Sequence, residues 1–166
     1  MRLKRHGGQS QIAWPSNGPL LTATEFAALA TVTCMTYPGS DSASRVAQLA
    51  NIARESWMQD WPIEVSDPAR LDEFIDLLLA NKADWELSFW LLDLVLESAE
   101  GVLAVVPRQD RTEPLVDALV AVWEATQAPG IAQRLVYWAC LGASAPDEMF
   151  RVSPLVRQAR QRIGHN

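Results

Sequence analysis

The sequence predicts an all-α domain of six or seven helices, arranged as antiparallel helical hairpins. Ten prolines divide the 166 residues into apolar stretches of helical length. Proline is tolerated in a first helical turn and not in a helix interior, so such spacing marks helix starts and ends. Within the stretches, apolar residues recur at i, i+3, i+4 and i+7, as at Leu71, Phe74, Ile75 and Leu78. That is the period of a helix with one buried face. The hydrophobic share, 49%, is too high for a disordered chain, and no apolar run reaches the ~18 residues of a membrane span.

Residues 1–20 hold two prolines, three glycines and little periodicity, and read as an irregular segment before a single α-helical domain over 21–166. Thr22 and Glu25 have capping-box spacing, which places a first helix over about 23–36. Ser40, Asp41 and Ser42 cap a second, with Val46, Leu49, Ile52 and Ala53 on its apolar side, reaching Trp57 and stopped by Pro62. Asp67 before Pro68 is an N-cap followed by proline at the first helical position, and Asn81 breaks the helix it opens. Asp84 opens the next, through about Ser98; this helix is apolar on most of its circumference, which marks it as central. Residues 102–106, all valine, leucine or alanine, read equally well as strand or as buried helix. Thr112-Glu113-Pro114 starts a helix, Ala128-Pro129-Gly130 turns into another over about 131–142, and Ser153-Pro154 starts a basic final helix ended by Gly164.

Two helix pairs, 68–98 and 114–142, look alike. Each begins at a proline, turns, and carries an aromatic–Trp doublet in its second helix, Phe89-Trp90 and Tyr137-Trp138. The pattern resembles HEAT and armadillo repeats, whose helix pairs stack into a superhelix. The resemblance implies a HEAT-like α-solenoid with a protein-binding surface and no particular chemistry. An irregular helical bundle explains the same pattern, so both architectures remain open at this point.

Charge is segregated. Residues 60–100 hold eleven acids against Arg70 and Lys82, whereas residues 1–6 and 151–166 hold only basic charges. Asp72, Glu73 and Asp76 lie opposite the Leu71/Phe74/Ile75/Leu78 stripe. Glu86, Trp90, Asp93 and Glu97 fall at i, i+4, i+7 and i+11, one face of a helix. A tryptophan among carboxylates is the composition of a binding hot spot with a steering rim. These seven residues are therefore the expected partner-binding set, and the expected partner is a basic protein. Two other uses of the charge compete: the basic ends fold back on the acids, or they pair two copies head to tail. Trp90 also fits as plain packing against a neighbouring helix, and Trp57, Trp61, Trp85, Trp123 and Trp138 read as core. A net charge of −6 argues against nucleic acid as the partner.

Little suggests catalysis. His6 and His165 sit near the ends of the sequence, and Cys34 and Cys140 lie in apolar helical surroundings where thiols are inert. Two cysteines and two histidines so placed give neither a disulfide framework nor a zinc site. The carboxylates Asp72, Glu73 and Asp76, with Glu97 and Glu100, are similar in kind to the acidic motifs of all-α nucleotide pyrophosphohydrolases and prenyl-diphosphate enzymes. That likeness implies Mg²⁺ held against a diphosphate, although the paired motifs are incomplete and no Lys/Arg cluster accompanies them. The residues following Met-Arg-Leu-Lys-Arg-His lack the apolar core of a signal peptide. The expectation is a cytoplasmic, non-enzymatic binding module with no cofactor and no metal. In size and charge it is similar to bacterial immunity proteins and nuclease inhibitors, which implies a toxin as partner; a general helical adaptor fits equally.

Overall fold

The computed structural model describes residues 37–55, 57–58, 60–105, 112–143, 145 and 149–164. All belong to the second of the two units into which the chain divides, Met35–Asn166. The expected irregular segment, the Thr22/Glu25 box with its helix, Cys34, His6 and His165 lie outside the described residues.

Among the described residues every regular element is helical. In order they are α1 (Ser40–Leu49), α2 (Trp61–Glu64), a 3-10 turn (Pro68–Arg70) running into α3 (Leu71–Ala80), α4 (Trp85–Val105), α5 (Thr112–Thr126), α6 (Pro129–Ala139) and α7 (Ser153–Gly164). The all-α expectation is met.

Helix starts follow local chemistry. Asp67 Oδ1 accepts the Ala69 amide at 2.9 Å ahead of α3, and Asp84 Oδ1 accepts the Glu86 and Leu87 amides, each at 3.2 Å, ahead of α4. Each carboxylate satisfies N–H groups that a first turn leaves without partners. At α1 the cap is Gly39 instead of a serine. Ser42 lies inside the first turn, and its hydroxyl donates to the Gly39 carbonyl.

Helix ends depart from the expectation at three places. α1 stops at Leu49 instead of continuing toward Trp57. Asn51 takes φ 49°, its amide donates to the Gln48 carbonyl at 3.1 Å, and the Ile52 amide donates to Ala47 at 2.8 Å. This is the Schellman closure, with asparagine in the left-handed position that it tolerates better than most residues. Beyond it, Pro62 lies in the first turn of α2 and does not stop a helix. Trp61 is buried, while Trp57, expected in the core, is 68% exposed.

α4 does not stop near Ser98. It continues to Val105, so Val102 to Val105 are helical. Gly101 looks like a terminator but is a contact position: a Cβ there would lie 2.5 Å from Pro68 Cγ. Glycine lets the 3-10 turn approach the helix. α6 ends at Ala139, short of 142, because Cys140 takes φ 45°. Arg157 of α7 donates to the carbonyls of Ala139 at 2.7 Å and Cys140 at 2.5 Å, placing a cation at the negative end of the helix.

α4 is central, as its apolar circumference predicts. It packs on α1, α2, α3 and α6, while α3 lies on α5, and α7 on both α5 and α6. Its Leu91, Leu92, Leu94, Val95 and Leu96 are fully buried in one core with Phe74, Leu78, Leu119, Ile131 and Val156. Each such side chain stabilises the fold by roughly 1.5–3 kcal/mol relative to exposure. Its buried serines are satisfied: Ser88 donates to the Asn81 carbonyl, and Ser98 Oγ accepts the Asp67 amide, each at 3.2 Å. Among the described residues no helix is long and apolar enough to cross a membrane.

Candidate functional site

The outer side of α3 carries the first group of expected binding residues. Leu71, Phe74, Ile75 and Leu78 are buried, so the helical period turns Asp72, Glu73 and Asp76 outward, with Leu79 at the rim. Glu73 is gripped by Arg70, whose Nε and Nη2 reach its two oxygens at 2.9 and 2.6 Å. This charge-assisted pair holds the Glu73 carboxyl below its ordinary range. Arg70 is itself fixed, donating to the Ala50 carbonyl and lying over the Phe74 ring at 4.8 Å. The pair ties the acidic face of α3 to the end of α1.

The second group, on α4, does not make an open stripe. Glu86 is partly exposed at the helix start. Trp90 packs inward, donating its indole N–H to Ser42 Oγ at 3.0 Å, with its ring centroid 5.9 Å from Trp61 and 5.2 Å from Phe89. Asp93 is only 7% exposed. It accepts the Trp138 indole N–H at 3.0 Å and pairs with Arg134 Nη2 at 3.0 Å. The Arg134 guanidinium lies 4.5 Å over the Phe89 ring, 5.6 Å from Tyr37 and 6.0 Å from Tyr137, so a buried ion pair is roofed by aromatic faces. Burial pushes the Asp93 carboxyl up to about 6, against the opposing pull of Arg134 and Trp138. Glu97 is also raised, by burial first and then by the charges of Glu100 and Asp93. The physical reason for the difference is that α4 has neighbours on several sides. Residue spacing puts these four side chains in one row but does not say that the row faces water.

Two arginines of the basic C-terminal region, Arg151 and Arg162, pair with carboxylates of α4 and α5. Arg151 reaches Glu100 at 3.1 Å, and the same carboxylate accepts the Val152 amide at 3.0 Å. Arg162 pairs with Asp117 at 2.8 Å and with Glu113. Of these, only Arg151–Glu100 closes on the acids of residues 60–100; Arg162 pairs instead with carboxylates of α5. Arg134, which organises the buried pair, is a residue the sequence reading missed. Its one signal was being the only charged residue of α6.

The carboxylates foreseen as a metal site do not assemble: among the described residues no group of three His, Cys, Asp or Glu side chains comes together to hold an ion. A shallow groove of about 320 Å³ lies between α1 and the α3–α4 turn, lined by Arg45, Gln48, Leu49, Asn81 and Leu87, and there Arg45 faces Asp84 at 3.5 Å. Comparison with known proteins finds no matching family model, no curated protein and no solved structure of significant likeness.

Proposed function

We propose that the chain is a non-enzymatic, acidic protein-binding module that docks a basic partner on the outer face of α3. The observation that supports this is one-sided: Asp72, Glu73 and Asp76 are exposed together on a helix whose other side is fixed in the core. Asp84, Asp93 and Glu100 are held by Arg45, Arg134 and Arg151, and Glu73 by Arg70. The negative field on this side is set by the exposed carboxylates of α3. Such a field speeds encounter with a cationic surface and sets its orientation. In this reading Glu86 lies at the edge of the contact, while Trp90, Asp93 and Glu97 serve by fixing α4 beneath it. A toxin or nuclease with a cationic active site suits the surface, and the chain then acts as its inhibitor in the cytoplasm. A repeat-like stacking of the α3/α4 and α5/α6 pairs goes with the reading. It is supported by the edge-on geometry shared by Phe89–Trp90 at 79° and Tyr137–Trp138 at 86°.

The test is to recover the partner from the native cell with the intact chain as bait and measure its affinity by calorimetry. The D72K/D76K variant is expected to bind about tenfold or more weakly, with an unchanged helical circular dichroism spectrum. Equal affinity contradicts the proposal. Heat and a thermal shift on adding millimolar Mg²⁺ alone would favour a metal-dependent hydrolase instead.

A further inference from the structure

We propose that Trp57 and Ile63, with Glu55, Asp60 and Glu64, form a second docking surface for a basic amphipathic protein segment. The inference rests on the reading that the partner is basic, but places contact on different residues.

The stretch carrying these residues is pinned from inside. Trp61 and Pro62 are buried, and Met58 and Val65 pack against the core. It is also turned twice by its own backbone: the Met58 amide donates to Glu55 at 3.2 Å, and the Ile63 and Glu64 amides donate to Asp60 at 2.9 and 3.3 Å. Trp57 and the 54% exposed Ile63 are left outward, and Glu55, Asp60 and Glu64 are exposed in the same stretch.

Two features define the occupant. The first is the indole. Tryptophan is the residue type most enriched at binding hot spots, because one rigid ring offers a large apolar face. Here it is exposed in the same short, anchored stretch as an exposed isoleucine. The second is charge. Residues 55–67 contain four acids and no base. The flanking cations are turned elsewhere, Arg54 to Ser44 Oγ at 3.1 Å and Arg70 to Glu73. A neutral or acidic apolar partner would strand these carboxylates. A segment bearing Lys or Arg beside aliphatic residues satisfies them, with a cation over the indole face and its methylene stem on Ile63.

The experiment uses the full chain and a synthetic 14-residue Lys/Leu amphipathic peptide, with a Gln/Leu analogue as control, by calorimetry. W57A and D60K/E64K alter only exposed side chains and are each expected to weaken Lys/Leu peptide binding about tenfold or more. D72K/D76K is expected to change it by less than about threefold, and the Gln/Leu peptide to bind far more weakly than the Lys/Leu peptide. Loss of binding in D72K/D76K with retention in W57A overturns this surface and leaves the α3 reading standing. No binding of the Lys/Leu peptide to the unaltered chain, or equal binding of both peptides, overturns this inference; the α3 reading has its own test on the native partner. The chain's own basic residues are the other candidate occupant. If R2E/K4E/R5E increases acrylamide quenching without peptide, and W57F abolishes that increase, the surface belongs to the N-terminal residues and the proposal falls.

Discussion

Asp93 shows how far one side chain's chemistry depends on residues distant in sequence. Spacing along α4 fixed its angle around the helix axis, and that much was legible. Its burial was not, because the groups that cover it, Arg134 and Trp138, arrive from α6. Arginine does not lose its proton in the accessible range, so titration of this pair falls on Asp93. Its carboxyl is raised in the folded chain to about 6, from an ordinary value of 3.8. The folded state therefore binds this proton more tightly than the unfolded state. The contribution to stability is largest below the ordinary value and is lost as pH rises through about 6, by roughly 3 kcal/mol in total. Urea unfolding of wild type and D93N at a series of pH values isolates it, because other groups cancel in the difference. Wild type should lose stability relative to D93N between about pH 4 and pH 6.5; parallel curves would show that Asp93 does not titrate there. D93A should be the harsher variant. It leaves the Arg134 and Trp138 donors without an acceptor in a buried site, at a cost of about 3–5 kcal/mol.

Helix starts were on the whole more legible than helix ends, although α3 stops at Asn81 and α7 runs to Gly164 as expected, and α2 was not foreseen. The starts depend on neighbouring residues alone: Asp67 and Asp84 reach amides two or three residues on. The ends depend on left-handed residues such as Asn51 and Cys140, and on a cation delivered from another helix, Arg157. Trp57 was misplaced for the same reason, since α1 closes before reaching it. Gly101 is the sharpest case. By helix propensity alone G101A should stabilise α4 by up to about 1 kcal/mol. The Pro68 ring occupies the space a methyl group would need, so the expected result is net destabilisation of about 1–3 kcal/mol. Adding P68A removes the clashing Cγ. A double-mutant cycle by chemical denaturation should then show the alanine at 101 recovering at least half of its loss. Additive effects of the two substitutions would mean that the turn does not press on the helix.

For the molecule as a whole, the segregation of acids into the middle third and of arginines into the C-terminal region was plain from the sequence. Which charges cancel was not, because each pairing spans dozens of residues: Arg151 with Glu100, Arg162 with Asp117 and Glu113. These last pairs are surface contacts and contribute little to stability, so R162Q should move the thermal midpoint only slightly. The proposed role depends on the acidic row of α3, where Asp72, Glu73 and Asp76 are exposed together. The most direct measurement is the association rate of the native partner by stopped flow across a range of ionic strength. The unaltered chain should associate fast at low salt and slow steeply as salt rises. D72K/D76K should associate about tenfold more slowly at low salt and show a flatter salt dependence. Rates and slopes indistinguishable between the two proteins would contradict docking through α3.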